Sequence, residues 1–241
     1  MLGLTNRAMA WRVLGSLVTF LLVWGVSGSL GLAVAVTAVE ILVKWLLSLF
    51  FFRRGEAAGS PPEPADSSKA SPFVLWFTGL SGAGKTTIAR AVEAALRERG
   101  LDVAWLDGDV TREFLPQTGF SKAERNQHVI RSGFIARMLE THGVPVIASY
   151  IAPYEQARDQ VRAMCRNYIE VYVSTPIEVC EGRDVKGLYA KARNGEITQF
   201  TGIDDPYEAP TRAELNIDTS TCTIEEARDR VLAYLAQHNL A

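Results

Sequence analysis

The chain has 241 residues, a formal net charge of −2 and 48% hydrophobic residues, values that average over two unlike parts. Residues 13–52 carry two charged side chains, Glu40 and Lys44, so the other 50 of the 52 charges lie in the remaining 201 residues at ordinary soluble density. The apolar content excludes a disordered or fibrous protein, three scattered cysteines exclude a disulfide scaffold, and the near-zero net charge excludes a polyanion binder, so no nucleic-acid partner is expected.

A bilayer core about 30 Å thick takes roughly 20 apolar residues per helix. The apolar stretch, broken at Ser27-Gly28-Ser29, predicts two spans, 13–26 and 30–52, joined by a tight turn within a hairpin of residues 1–54. Arg7 and Arg12 precede it and Arg53 and Arg54 follow it, which places both ends in the cytoplasm and makes the chain a multi-pass protein of the inner membrane. Glu40 and Lys44 are four apart and share a helical face, where the expectation is either a mutually neutralising packing pair or a conducting or sensing role for intramembrane charge. Residues 55–72, with Gly55, Gly59 and prolines 61, 62, 64 and 72, predict a flexible linker.

From Phe73 short apolar runs alternate with amphipathic ones, the pattern of an α/β domain with a parallel sheet flanked by helices over 73–241. The predicted elements are strand 73–78, helix 85–99, strand 103–106, helix 122–140, strands 144–151, 168–173 and 215–217, and a last helix opened by the Thr223/Glu226 capping box. His142-Gly143 predicts a helix end. Cys165, Cys180 and Cys222 read as reduced thiols of a cytosolic compartment.

Between the first strand and first helix lies Gly79-Leu80-Ser81-Gly82-Ala83-Gly84-Lys85-Thr86-Thr87, a full phosphate-binding-loop pattern. Its glycines let backbone N–H groups converge on phosphates, Lys85 neutralises charge on the transferred group, and the Thr86 hydroxyl can ligate Mg²⁺. The ATP site therefore comprises Gly82, Ala83, Gly84, Lys85, Thr86 and Thr87, with Mg²⁺ as the implied cofactor. A site for cytosolic ATP argues against reading the first apolar run as a cleaved signal peptide. The acceptor is sought at the other strand ends, where ligands of open α/β sheets collect. There Asp107-Gly108-Asp109-Val110-Thr111-Arg112 offers two carboxylates for Mg²⁺ water and for a hydroxyl nucleophile, and a guanidinium for an anion.

With Gly79 to Thr87 and Asp107-Gly108-Asp109, three further blocks carry a family resemblance. They are Gly119-Phe120-Ser121 with Arg125, Cys180-Glu181-Gly182-Arg183-Asp184-Val185-Lys186-Gly187-Leu188-Tyr189, and Phe200-Thr201-Gly202-Ile203-Asp204-Asp205-Pro206-Tyr207-Glu208. Together they resemble adenylylsulfate kinase over essentially all of 73–241. The resemblance implies transfer of the ATP γ-phosphoryl to the 3′-hydroxyl of adenosine 5′-phosphosulfate in sulfate assimilation, and a homodimer. It puts Asp109, Arg112, Phe120, Arg125, His128, Ile151, Lys186 and Phe200 on the acceptor, Arg183 near ATP, and Lys186 and Phe200 on a lid. Lys85, Lys186, Asp109 and Asp107 are the implied catalytic set, Asp109 as base and Asp107 on Mg²⁺ water, with the two aspartate roles open to exchange.

This sequence departs from the family pattern in places. Ile151-Ala152-Pro153-Tyr154-Glu155 stands where the family commonly has Ile-Ser-Pro-Tyr-Arg, so no phosphoserine can form at residue 152 and transfer is expected to be direct; Glu155 is expected to remove positive charge near the acceptor. His128 stands in place of an Asn and Ile130 in place of an Arg. A related kinase for another nucleotide or alcohol, and a non-catalytic nucleotide-binding scaffold, are the alternatives. The N-terminal stretch is similar to a small, uncharacterised two-span bacterial membrane module, which implies a location; one reading of the tethered architecture is that it keeps the kinase near a sulfate transporter or the sulfate adenylyltransferase.

Overall fold

The strand β1 (Val74–Gly79) is buried at all six positions. Phe73, Leu75 and Phe77 join one apolar cluster, whereas Val74 and Trp76 join another. Side chains alternate across a strand, so a run apolar at every position needs cover on both faces, which a parallel sheet between helices supplies. In the computed structural model, which describes residues 18–32, 34–41, 71–115 and 119–241, β1 is the central strand of a five-stranded parallel sheet ordered β2-β3-β1-β4-β5. The others are β2 (Ala104–Asp107), β3 (Val146–Ser149), β4 (Tyr168–Val173) and β5 (Leu215–Ile217).

Helices α1 (Lys85–Glu98), α2 (Gly108–Phe114), α3 (Lys122–Thr141), α4 (Glu155–Met164), α5 (Ile177–Arg183), α6 (Leu188–Arg193) and α7 (Ile224–Gln237) complete the domain. Ile88, Val92 and Leu96 of α1 pack with Val231 and Leu235 of α7 on one side of the sheet. Val129 and Ala136 of α3 pack with Ala157 and Val161 of α4 on the other. The α3–α4 approach is close enough that a Cβ on Gly133 would lie 2.4 Å from Val161 Cγ2. Gly133→Ala should lower unfolding stability by about 1–3 kcal/mol through overpacking, against the roughly 1 kcal/mol that alanine gains in an exposed helix; urea titration measures it.

Helix ends follow local chemistry. The Thr223/Glu226 box caps α7, and an unforeseen second box, Ser121 with Glu124, caps α3. His142 ends α3, its Nδ1 2.7 Å from the Met138 carbonyl oxygen. The strand expected over 144–151 is Val146–Ser149; backbone bonds to β1 run on through Tyr150 N to the Phe77 carbonyl at 3.0 Å and Gly79 N to the Ile151 carbonyl at 3.4 Å, and the extended run stops before Ala152, whose φ is 43°.

The chain divides into two units, Met1–Pro64 and Ala65–Ala241. Within the first, residues 18–27 and 30–41, apart from 33, are helical. They meet at Gly28, whose φ of 64° makes the expected turn; Ser27 Oγ donates to the Val23 carbonyl, and Ser29 Oγ accepts from Leu32 N. Among the described residues no helix is long and apolar enough to cross a membrane. Ten helical residues rise about 15 Å, half a bilayer core. The expected spans continue into 13–17, 33 and 42–52, which, with Lys44 and the linker 55–70, lie outside the described residues.

Candidate active site

The phosphate-binding loop joins β1 to α1 at the carboxyl edge of the sheet. Gly79, Gly82 and Gly84 have φ of 148°, 74° and 101°, and a Cβ on Gly79 would lie 2.4 Å from the Val173 carbonyl oxygen. These positions need glycine for both conformation and space. Lys85 opens α1, is buried, and donates from Nζ to the Leu80 carbonyl at 2.7 Å. Burial lowers its pKa to about 8. Thr86 Oγ1 lies 3.1 Å from Ser149 Oγ at the end of β3, a partner the sequence pattern did not single out.

Asp107 both ends β2 and caps α2, its Oδ1 accepting from Asp109 N at 2.9 Å and Val110 N at 3.4 Å. The Asp-Gly-Asp stretch is therefore a capped helix start that also presents Asp109 outward. Asp109 pairs with Lys186 of the α5–α6 connection, both side chains being largely exposed. An ion pair of that exposure holds weakly and opens readily.

Phe120 lies near two guanidinium groups, 4.8 Å from Arg112 and 5.5 Å from Arg125. Burial, then the neighbouring charge of Arg125, lowers the Arg112 pKa. Two like charges this close make a place where an anion is favoured. Arg125 is also a clamp: Nε donates to the Phe120 carbonyl at 2.6 Å, Nη1 to Thr201 Oγ1 at 2.8 Å, and Nη2 to the Gln199 carbonyl. Phe200, between those partners, is buried edge-on against Tyr189, with ring centroids 5.0 Å apart. Tyr189 donates in turn to the Ser81 carbonyl at 2.9 Å, linking this segment to the phosphate loop.

His128 is buried, with Nε2 3.3 Å from the Gly108 carbonyl oxygen and 3.4 Å from Thr111 Oγ1. Burial and the charge of Arg112 lower its pKa to about 4, so it is neutral near pH 7. A histidine whose folded pKa is depressed leaves the unfolded chain holding more protons between about pH 4 and 6.5, so stability falls as pH drops through that window. His128→Asn should flatten this loss, seen as a smaller shift of the urea midpoint between pH 7 and pH 5.

Gly82, Gly84, Lys85, Thr86, Thr87, Asp107, Asp109, Arg112, Phe120, Arg125, His128, Ile151, Lys186 and Phe200 line the same cavity, of about 550 Å³. Two expected residues, Ala83 and Arg183, are absent from its lining. Ala83 is fully buried, and its carbonyl accepts from Thr175 and Thr219. Arg183 lies against the loop from outside, donating to the Gly82 carbonyl at 3.2 Å and to Thr219 Oγ1 at 2.8 Å. Glu155 does not line the cavity either; its Oε1 accepts from Thr211 Oγ1 at 3.2 Å. Ile130 packs against the α3–α4 cluster.

A family model described as Adenylylsulphate kinase matches residues 71–218. The chain belongs to the adenylylsulphate kinase family. It is therefore an ATP-dependent kinase, and its sequence and structural relatives agree. The adenylyl-sulfate kinase of Halothermothrix orenii is 50% identical over 164 residues, 68% of this chain and 89% of the relative. That of Synechococcus sp. strain JA-3-3Ab is 52% identical over 165 residues, 68% of this chain and 94% of the relative. The Mycobacterium tuberculosis APS kinase CysC, solved with AMPPNP and APS, superposes with a TM-score of 0.66 at 39% identity, over 69% of this chain and 99% of that one. Residues 7–53 match a second family, described as Predicted membrane protein (DUF2061).

Proposed function

We propose that this adenylylsulphate kinase transfers the ATP γ-phosphoryl directly to the 3′-hydroxyl of adenosine 5′-phosphosulfate, giving 3′-phosphoadenosine 5′-phosphosulfate and ADP. The observation that carries the reading is one cavity whose wall holds Lys85 and Thr86 of the phosphate loop together with Asp109, Arg112, Phe120 and Lys186. Lys85 and Lys186 stabilise charge on the group in flight, Asp109 orients or deprotonates the hydroxyl, and Arg112 binds the phosphosulfate while Phe120 and Phe200 flank the adenine. The Asp109–Lys186 contact releases as substrate enters, because both groups then bond to it. Segment 184–201 acts as a lid that excludes water.

Thr86, Ser149 and Asp107 suit Mg²⁺: the two hydroxyls are 3.1 Å apart, Asp107 is paired with Ser149 in the β2–β3 register, and all three are hard oxygen donors. Mg²⁺ held there would supply neutralisation of charge on the ATP phosphates. Direct transfer is supported by Ala152, which lines the cavity without a nucleophile. ADP release with Mg-ATP and adenylylsulfate, beside a panel of other nucleotides and alcohols, tests the acceptor. A stable ³²P label on the protein after incubation with [γ-³²P]ATP would refute the direct route.

The N-terminal unit is read as the two-span hairpin 13–26 and 30–52, anchoring the kinase domain on the cytoplasmic face of the inner membrane through linker 55–72. Support comes from the match over 7–53 and from the exposure of apolar side chains such as Leu22 and Val26, 63% and 89%. Such an anchor would hold the enzyme near a sulfate transporter or sulfate adenylyltransferase. Protease protection of the kinase domain in inside-out vesicles would sink this topology, and unchanged sulfate flux after deletion of residues 1–60 would remove the proposed benefit.

A further inference from the structure

Arg158 is a buried cation that the chemistry above does not use. It projects from α4 with 2% exposure, beside Glu170 of β4 at 4%. Nη1 donates to the Ala152 carbonyl at 2.7 Å, Nη2 donates to the Glu208 carbonyl at 2.6 Å, and Nε stands 3.1 Å from Glu170 Oε1. Glu170 is in turn paired with Arg162 at 3.2 Å, and Arg162 with Glu214 at 2.5 Å, so the carboxylate that faces Arg158 is itself fixed. One guanidinium thus ties two stretches of irregular chain to the rigid sheet, which its planar fork of donors can do and an ammonium cannot.

Both stretches belong to the acceptor side. Ile151, Ala152 and Pro153 line the cavity, and Ala152 is held at a φ of 43°, a left-handed conformation that costs a non-glycine residue free energy. Such a backbone persists only where its surroundings hold it. The second stretch follows Phe200 and Thr201 of the cavity wall and is laced to the first: Glu208 N donates to the Pro153 carbonyl at 2.8 Å, and Tyr154 Oη donates to Asp205 Oδ1 at 2.6 Å. From below, Thr78 Oγ1 donates to the Ile151 carbonyl at 2.7 Å and lies 2.9 Å from Tyr207 Oη. No bond of Arg158 reaches the phosphate loop, although Gly79 N of that loop donates to the Ile151 carbonyl at 3.4 Å.

We infer that Arg158 is a positioning residue for the acceptor: backed by Glu170, it holds Ala152 in its left-handed conformation and locks the 205–208 segment to it, shaping the acceptor wall without acting on ATP. The inference rests on adenylylsulfate being the acceptor. In the full chain, Arg158→Lys keeps the charge but cannot span both carbonyls, and should raise the KM for adenylylsulfate on the order of tenfold, since small displacements of a positioning wall are costly. The KM for Mg-ATP should stay within about twofold. Adding Ala152→Gly, which adopts the left-handed backbone without strain, should recover part of the acceptor KM, a rescue that a merely structural Arg158 would not give. If Arg158→Lys does not fold, Thr78→Val removes the opposite tie from the same wall at constant shape and should shift the acceptor KM alone. Equal rises in both KM values, or unchanged KM values in a folded variant, overturn the inference. Wild-type enzyme inactive with adenylylsulfate would instead overturn the acceptor assignment.

Discussion

Lys85→Ala is expected to lower kcat by about 10²–10³-fold, the usual loss when one preorganised charge partner of the transition state is removed from a water-poor site. The residue is buried at the first position of α1 and its pKa is pushed down to about 8 by that burial. Below pH 8 the free protein carries a costly buried charge, which the phosphates of ATP offset. Above pH 8 the lysine is neutral before ATP arrives and must take up a proton on binding. The KM for ATP should therefore climb above pH 8, by up to about tenfold per unit, and this climb should vanish in Lys85→Ala. Stability has the same sign logic. The folded pKa lies below that of the unfolded chain, so the contribution of Lys85 to stability is least below pH 8 and improves as pH rises toward 10.5. The alanine variant should be at least as stable as wild type at pH 7, and a thermal melt that falls sharply instead would contradict the buried-charge account.

Asp109→Asn is expected to cost about 10²–10⁴-fold in kcat, the range associated with loss of a general base. Its side chain is 74% exposed and meets Lys186 from across the cavity, so its removal should leave the melting temperature nearly unchanged. Near pH 7 the KM for ATP should change little, since Asp109 makes no hydrogen bond to the phosphate loop among the described residues and reaches Lys85 only through its charge, which raises the Lys85 pKa. Asp107→Asn separates the two aspartates cleanly. Asparagine caps a helix about as well as aspartate, so α2 should survive while the charge is lost. A loss of kcat at residue 107 larger than at residue 109, measured at saturating Mg²⁺, would exchange their roles.

The chain announced its phosphate loop because that function needs glycines and a lysine at fixed offsets between a strand and a helix, all of it local chemistry. Strands 168–173 and 215–217 were legible for a similar reason, their apolar runs being short and bounded by polar residues. The helices α2, α4, α5 and α6 were not predicted. The first begins inside the Asp-Gly-Asp stretch read for its carboxylates at a strand end, and the others are ten residues or fewer, with stability supplied by packing rather than by propensity. Arg125 lines the cavity as expected, yet its guanidinium grips Phe120, Gln199 and Thr201, two of them more than 70 positions away. Glu155, expected to alter the charge of the acceptor pocket, instead bonds Thr211 away from the cavity.

What the sequence determined by itself is the uneven partition of charge, the α/β class, the family and the types of side chain gathered at the candidate site, since each is written in composition, periodicity or short motifs. What only the tertiary structure decided is how those side chains are held: the burial that lowers Lys85, the Thr86–Ser149 pair, the left-handed Ala152 and the Arg158–Glu170 anchor behind it. Each depends on groups from different strands meeting at one edge of the sheet, and the free energy of a buried charge or a strained backbone is set by those neighbours rather than by the residues beside it in the chain.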